Sequence, residues 1–354
     1  MYILKNQLKK KEEDLLMLIS VDLGYGFTKA KSADKKIIFP SAAAKTNQKP
    51  FQLEGRATVR PGHYVELRAA DSLVKNKLLV GELALREGKA VQTTLARERY
   101  QREEALGLTM TASYLLGVEG DITIALGVPL AFYHDQKDAI KQSFQGLSFN
   151  VSVDEGAEKR ITFKEVYVFP QGIGALLSGS PIPKRGLIGV IDIGYHTTDY
   201  LLIEASDAGV QPLSSYMSST QQGMHTAQTL FADAFRQETG RPITLNEARS
   251  MWDKDAIAFA GNKIDLITLK QEAKQETGRV IAENILAAWS DKIDFLDGLF
   301  LAGGAAIELL PVLKNYLTNP VLLDDSQFAN ANGFYQMANW SINKKQNLKA
   351  KTIN

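Results

Sequence analysis

Three glycine-containing turns, each directly after an apolar run, carry the residues best suited to phosphate or metal. The turns span residues 22–29 (Asp-Leu-Gly-Tyr-Gly-Phe-Thr-Lys), 192–199 (Asp-Ile-Gly-Tyr-His-Thr-Thr-Asp) and 301–306 (Leu-Ala-Gly-Gly-Ala-Ala). Glycine lets a backbone turn tightly and bring its N–H groups against an anion. A carboxylate at a strand end can hold Mg²⁺ through water. The pattern therefore predicts a phosphate and metal site.

The individual residues suggest separate tasks. In the first turn, Gly24 and Gly26 free the backbone, Asp22 can hold Mg²⁺, and Lys29 can reach a phosphate as a point charge. The second turn repeats the order of Asp, Gly and hydroxyl residues. In the third turn, Gly303 and Gly304 leave room for a flat adenine or a ribose phosphate against the backbone.

Each turn taken alone has a simpler explanation. An Asp-x-Gly sequence after a strand is commonly a hairpin turn, and Gly303-Gly304 is commonly a tight strand-to-helix connection. Their joint occurrence, with two of them beginning matching halves, favours a nucleotide site. A P-loop is excluded because Gly88-Lys89 is followed by Ala90, and a Rossmann fingerprint is excluded because Lys29 stands where the third glycine should be.

Hydrophobic periodicity predicts the elements that position these turns. The predicted strands span 18–30 (two strands with a turn), 35–41, 78–84, 121–128, 166–169, 187–193, 200–204 and 295–301, with a polar hairpin over 149–163. The predicted helices span 105–116, 132–144, 171–177, 227–238, 245–252, 269–289 and 307–317. Residues 178–183 form the clearest linker, and the basic tail from Asn343 is expected to fray.

Composition excludes several functional classes. The 354 residues include 41 Lys plus Arg and 40 Asp plus Glu, so a formal charge of +1 gives no general attraction to nucleic acid or anionic lipid. Cysteine is absent, which excludes disulfides and thiolate sites and fits a reducing cytoplasm. No apolar run is long enough to span a membrane. The charged segment 1–16 is interpreted as a solvated leader or short helix, with an amphipathic anchor as the alternative.

The order of the three turns resembles the phosphate-1, phosphate-2 and adenosine motifs of the actin, Hsp70 and sugar-kinase superfamily. Three further segments resemble ParM-like plasmid-segregation proteins and archaeal actin-like proteins: Phe39-Pro40-Ser41, residues 80–84 (Val-Gly-Glu-Leu-Ala) and residues 329–334 (Ala-Asn-Ala-Asn-Gly-Phe). The resemblance covers about residues 18 to 338.

The resemblance implies an α/β, actin-like (ribonuclease H-like) duplicated fold with a nucleotide cleft between two lobes. The expected domains are a leader (1–17), lobe I (18–180), lobe II (181–335) and a C-terminal segment (336–354) that returns to lobe I or frays. It also implies ATP, with GTP as the alternative, and Mg²⁺ as cofactors. The metal ligands are then Asp22, Asp192 and Asp199, and the catalytic residues are Gln171 and Asp192.

Gln171 matches the position of the family's water-activating residue, after a strand and a proline. ParM-like proteins usually carry Glu there and eukaryotic actin carries Gln, so Gln171 is expected to orient water, and the simpler reading is a residue beside a helix N-cap. The expected nucleotide contacts are Gly24, Tyr25, Gly26, Thr28, Lys29, Gly194, Tyr195, His196, Thr197, Thr198, Gly223, Gly303, Gly304 and Ala305. Glu247 and Arg249 are weaker candidates beside the base.

The implied function is a cytoplasmic ATPase whose nucleotide state controls head-to-tail filament assembly, in plasmid segregation or a cytoskeleton. The expected partners are further copies of the chain and a DNA-binding adaptor, with no direct nucleic acid contact and no membrane span. One alternative is a non-polymerising actin-fold scaffold that binds nucleotide and a partner. A small-molecule kinase is less favoured because no insertion forms a substrate pocket.

Overall fold

The computed structural model describes residues 17–50, 61–93, 100, 102–178 and 182–352. The leader predicted over 1–16 and residues 179–181 of the predicted linker lie outside them. The chain forms two compact units. The first comprises the described residues of Met1–Val128, His134–Phe169 and Phe334–Asn354, and the second comprises those of Pro129–Tyr133 and Pro170–Gly333. The main change between units thus follows Phe169, earlier than the lobe boundary predicted after residue 180.

A ten-stranded mixed sheet forms the described part of the first unit, in the order β3-β2-β1-β8-β10-β9-β5-β6-β4-β7. Its strands are β1 Met17–Leu23, β2 Phe27–Lys31, β3 Lys36–Pro40, β4 Ala42–Lys45, β5 His63–Ala69, β6 Lys75–Val80, β7 Gln92–Thr93, β8 Gly120–Val128, β9 Ser148–Val153 and β10 Lys159–Pro170. The helices are α1 Glu82–Glu87, α2 Glu103–Leu115 and α3 Tyr133–Phe144.

The second unit is built on a six-stranded sheet, in the order β13-β12-β11-β17-β18 with β14 paired to β12, and a separate two-stranded sheet. Its strands are β11 Gly186–Ile193, β12 Thr198–Ser206, β13 Gly209–Pro212, β14 Ser218–Thr220, β15 Ala256–Phe259, β16 Asn262–Asp265, β17 Gly298–Ala302 and β18 Pro320–Leu322. Its helices are α4 Ile173–Leu176, α5 Met224–Thr239, α6 Leu245–Met251, α7 Ile267–Trp289 and α8 Ala306–Leu313, and α9 Ala329–Thr352 begins here.

The two units repeat one strand arrangement. In the first, β1 pairs antiparallel with β2 and parallel with β8. In the second, β11 pairs antiparallel with β12 and parallel with β17. Both β1 and β11 are buried along most of their length, as expected for a strand covered on both faces. The duplicated order predicted from the sequence is therefore present in the structure.

Most of the predicted strands and helices are found, with several corrections. The separate strand predicted over 166–169 is the end of the long strand β10, because the hairpin strand continues to Pro170. The helix predicted over 171–177 shrinks to the four residues of α4, since Gly172 precedes it with φ of +81°. The strand expected to reach 84 ends at Val80, and α1 follows.

Two further corrections concern the C-terminal part of the chain. The strand predicted over 295–301 begins at Gly298, and the helix predicted over 307–317 ends at Leu313. The tail predicted to fray from Asn343 is helical through Thr352 as part of α9. Phe334 and Ala338 hold this helix by packing with Leu18 and Ala125 of the first unit. None of the helices in the described ranges is long and apolar enough to cross a bilayer.

Candidate functional site

The turn between β11 and β12 places two carboxylates together in the second unit. Asp192 and Asp199 are paired residues of the antiparallel ladder, and both are buried. Paired residues on antiparallel strands project from the same face of a sheet, so the two side chains lie side by side. The Gly194 N–H donates to the Thr197 carbonyl at 2.9 Å and closes the turn. Two carboxylates in this arrangement repel each other when both are ionised, which favours a bound cation.

The Gly303 turn lies directly beside Asp192. Asp192 pairs with Ala302 in the parallel ladder of β11 and β17, so both strands end at the same edge, where α/β sheets bind ligands. The Ala305 N–H donates to the Ile193 carbonyl at 3.1 Å. Gly303 has φ of +89°, and an added Cβ would collide with the Ile193 carbonyl oxygen and lie 2.6 Å from Asp192 Oδ1. Only glycine fits this position.

The turn before α5 packs on the same loop. The Met224 and His225 N–H groups donate to the Gly194 and Tyr195 carbonyls at 3.3 and 2.7 Å. A Cβ on Gly223 would lie 2.7 Å from the Gly194 oxygen and 2.8 Å from the Tyr195 oxygen. The close approach of two backbone segments thus requires glycine at position 223. The nucleotide contact predicted for Gly223 stays a prediction.

The second turn's hydroxyl and ring residues have their own contacts. Thr198 is fully buried and its hydroxyl donates to the Gln222 carbonyl at 2.8 Å, so it braces the loop, while Thr197 is half-buried. Tyr195 donates its hydroxyl to Gln228 Oε1 at 3.0 Å. His196 packs edge-on against His225, with ring centroids 5.2 Å apart. Any nucleotide contact from Tyr195 or Thr198 would therefore come mainly from the backbone.

Burial shifts the pKa of two side chains in and beside the second turn, Tyr195 and His225. Burial raises the pKa of Tyr195, and the Arg249 guanidinium 5.7 Å from its ring centroid opposes this only in part. Burial lowers the pKa of His225, because a charged imidazole loses hydration there. Arg249 lies beside the loop, whereas Glu247 caps α6 by accepting from the Thr244 N–H at 2.7 Å.

The backbone directly after Gln171 is connected to Asp192 through a residue that the sequence does not mark as part of a site. The Asn330 amide nitrogen donates to Asp192 Oδ2 at 2.6 Å, and its amide oxygen accepts from the Gly172 N–H at 3.0 Å. Gln171 and Asn330 are both buried. Asn330 falls within the 329–334 segment that carried the family resemblance, but nothing local marked it as part of a site.

The corresponding turn of the first unit has different partners. Asp22, almost fully buried, forms an ion pair with Lys29 at 3.2 Å across the β1–β2 ladder. Thr28 is buried and its hydroxyl lies 2.9 Å from the Ser41 hydroxyl. The Gly26 carbonyl accepts from the Ser41 N–H at 2.9 Å. Tyr25 and Gly24 are half-buried at the turn.

The structure distributes the predicted site residues over both units. The second unit brings together Gln171, the 192–199 turn, Gly223 and the turn of Gly303, Gly304 and Ala305. The first unit holds Asp22 to Lys29. Among the residues the structure describes, no group of three or more His, Cys, Asp and Glu side chains is placed to hold a metal. Mg²⁺ commonly takes only one or two carboxylates and completes its shell with water and phosphate, so the Asp192–Asp199 pair fits it.

Two family models match the chain. "Actin like proteins N terminal domain" matches residues 20–174, and "Archaeal actin homologue MreB-like, C-terminal" matches residues 190–315, which together span most of the sequence. The chain belongs to the actin-like proteins. Its fold is accordingly the actin-like fold, and solved structures of a ParM mutant and an archaeal actin homolog match it with a TM-score of 0.78.

Individual actin-like relatives match over nearly their full length. The archaeal actin homolog of Thermoplasma volcanium is 26% identical over 340 residues, covering 92% of this chain and 100% of the relative. The subunit of a 15-stranded ParM filament from Clostridium botulinum matches with a TM-score of 0.80 and 24% identity, covering 92% and 99% of the two chains. An archaeal actin homolog solved in complex with ADP matches with a TM-score of 0.75 and 24% identity, at the same coverage.

Proposed function

We propose that this actin-like protein binds ATP with Mg²⁺, hydrolyses it to ADP and phosphate, and assembles head to tail into filaments that depend on the bound nucleotide. The observation that carries the proposal is the convergence on Asp192 of three elements: its carboxylate partner Asp199, the Gly303 turn and, through Asn330, the Gln171 turn. Relatives support it, since one archaeal actin homolog was solved with ADP and one ParM as a filament.

The residues of the second unit divide the proposed work. The closed 194–197 turn presents backbone N–H groups to phosphate, and Gly303 with Gly304 leaves backbone exposed for the nucleoside. Asp192 and Asp199 would hold Mg²⁺, which neutralises charge on the phosphates when it is bound. In the first unit, we propose that the 22–29 turn binds phosphate through its backbone and Lys29, as a second phosphate loop.

Gln171 is proposed to orient the attacking water. Its amide oxygen can accept a hydrogen bond from the water, but a neutral amide cannot take the proton. Hydrolysis should therefore be slow in the free subunit and depend on assembly. Loss of the γ-phosphate removes its contacts to the protein, which weakens a filament interface that favours the triphosphate state.

The proposed assembly is heterologous and does not close, so it grows as a filament. An adaptor is proposed to carry any DNA contact, because a formal charge of +1 supplies no general attraction to nucleic acid. Plasmid segregation and a cytoskeletal role are the two proposed settings.

The test measures phosphate release and high-speed sedimentation together, with ATP and Mg²⁺, for the native chain and three variants. The native chain should pellet and release phosphate. Asp192→Ala should do neither, and Gln171→Ala should pellet but hydrolyse at least about tenfold more slowly. Asn332→Ala, which removes another buried side-chain amide of the second unit, is the control and should hydrolyse at a near-native rate.

Other outcomes point to other functions. A native chain that binds ATP but neither pellets nor releases phosphate is a nucleotide-binding scaffold. Transfer of the phosphate to a small molecule instead of water would make it a kinase.

A further inference from the structure

We propose that Asn330 is a positioning residue that fixes the Gln171 turn relative to the Asp192 carboxylate. This inference rests on the proposed hydrolysis. Asn330 is 6% exposed and uses both ends of its amide, donating to Asp192 Oδ2 at 2.6 Å and accepting from the Gly172 N–H at 3.0 Å. One side chain thus connects the backbone beside the proposed water-orienting residue to the proposed metal ligand.

The Gln171 turn needs external support. Its own helix α4 has four residues. The Ala175 N–H donates to the Gly172 carbonyl at 3.1 Å, but a helix offers no internal acceptor to the N–H groups of its first turn. Gly172 has φ of +81° and separates Gln171 from that helix. A contact to the Gly172 N–H from another element therefore fixes the backbone directly beside Gln171.

Helix α9 supplies the support by two contacts one turn apart. Asn330 bonds to the Gly172 N–H, and Gly333 packs so closely on Gly174 that an added Cβ would collide with the Gly174 carbonyl. The backbone of the turn is therefore pressed against α9. The Asn330 contact also extends to Asp192, so this residue links the water-orienting turn to the carboxylate.

The chain provides a matched control in the same helix. Asn332 is also 6% exposed, and its amide nitrogen also donates to an aspartate, Asp325 Oδ2, at 2.8 Å. It has the same residue type, burial and kind of hydrogen bond, but its partner Asp325 is not among the residues proposed to hold metal, nucleotide or water. The residue after Asp325, Ser326, accepts from the Gly303 N–H at 2.9 Å. A general loss of packing should affect both asparagines equally, whereas a positioning role should appear at Asn330 alone.

The first readout is hydrogen exchange of the Gly172 amide in the nucleotide-free protein, which does not depend on activity. Asn330→Ala should speed this exchange by roughly tenfold or more, because the buried N–H loses its acceptor. Asn332→Ala should leave it unchanged. The double variant Asn330→Asp with Asp192→Asn reverses the polarity of the bond and keeps an acceptor for Gly172, so protection should return towards the native level.

The second readout is the kinetics of phosphate release. Asn330→Ala should lower kcat by about tenfold or more while KM for ATP stays within about threefold, since misplacing a reacting group costs rate more than binding. Asn332→Ala should keep kcat within about twofold of the native value. The double variant should recover Gly172 protection but not kcat, because it lacks the Asp192 carboxylate.

The outcomes separate the positioning role from the proposed function. If the native chain hydrolyses ATP but Asn330→Ala and Asn332→Ala match in Gly172 exchange and in kcat, the positioning role is overturned alone. If the native chain releases no phosphate, the proposed function fails and this role fails with it, whatever the exchange shows. If Asn330→Ala does not fold, Asn330→Ser takes its place with the same expectations.

Discussion

The turn at residues 22–29 and the turn at residues 192–199 each join two antiparallel strands, but they differ in the residue opposite the first aspartate. In the first unit, Asp22 pairs across the ladder with Lys29 and forms a buried ion pair with it. In the second unit, Asp192 pairs across the ladder with Asp199 and accepts a hydrogen bond from Asn330. The first turn thus places a carboxylate opposite an ammonium group, whereas the second places two carboxylates opposite each other.

This difference predicts that one turn binds the metal and the other binds the phosphate anion. A carboxylate already paired with a cation is a weak metal ligand, because Mg²⁺ would have to displace the ammonium group. Two carboxylates on one face favour a cation, while a lysine beside exposed backbone favours an anion. We infer that Asp192 and Asp199 dominate metal binding and that Asp22 mainly holds Lys29. The metal role predicted for Asp22 from the sequence remains a prediction.

Removing the cation of the first turn should have the largest effect on stability. Lys29→Met leaves the buried Asp22 carboxylate without its lysine partner and should lower the free energy of unfolding by about 3–5 kcal/mol. Chemical denaturation measures this change. The control is Lys29→Met combined with Asp22→Asn, which removes both charges and should recover most of the loss. Equal losses in the single and double variants would show that the ion pair is not the cause.

The Gly303 turn gives the next largest effect. Gly303→Ala introduces a Cβ at φ of +89° against the Ile193 carbonyl and should cost about 2–5 kcal/mol, with loss of ATP binding. Gly304→Ala is the matched control, since its Cβ would meet nothing closer than 3.6 Å from Gln327. Thermal unfolding of both variants tests the steric cost, and a Gly304→Ala variant destabilised as much as Gly303→Ala would contradict it.

Removing one charge from the Asp192–Asp199 pair should raise stability, whereas removing the Lys29 charge from the first turn should lower it. Asp199→Asn relieves repulsion with Asp192 and should raise the stability of the nucleotide-free protein by up to about 1 kcal/mol. The same change should weaken binding of Mg²⁺ with ATP. A drop in stability without nucleotide, measured by denaturation, would show that the two carboxylates do not repel in the folded protein.

The smallest effect is a pH dependence at His225. Burial lowers its pKa, so the unfolded chain binds the proton more readily than the folded one. Stability linked to His225 is then fully present above its ordinary pKa of about 6.5 and is lost as pH falls towards the lower folded value. The melting temperature should therefore fall less between pH 7 and pH 5 in His225→Asn than in the native chain. If the melting temperatures of the two proteins fall equally between pH 7 and pH 5, His225 does not contribute to the pH dependence of stability.

Much of this architecture is predictable because its signals are local. Apolar runs ending in Asp-x-Gly predict a strand and a tight turn, and their repetition predicts the duplicated fold. The register that places Asp192 opposite Asp199 follows from the length of the turn. The sequence predicts Gly303 and Gly223 as nucleotide contacts, and in the structure the close approach of other backbone segments also requires glycine there.

The unpredicted features depend on distant contacts. Asn330 lies 138 residues from Asp192 and 158 from Gly172 along the chain, and no periodicity or spacing marks such a pair. The helical tail is a similar case, because its polar sequence suggests fraying while Phe334 and Ala338 anchor it to the first unit. The continuity of β10 also depends on its sheet neighbours rather than on its own sequence.

Calorimetric titration of ATP, with Mg²⁺ and with a chelator, tests the contrast between the two turns most directly. The native chain should bind ATP at least about tenfold more tightly with Mg²⁺ than without it. Asp192→Asn should lose most of this difference, and Asp22→Asn should keep it even if its overall affinity falls. If Asp22→Asn loses the Mg²⁺ dependence while Asp192→Asn retains it, the metal belongs to the first turn and the proposed division of labour between the two turns is wrong.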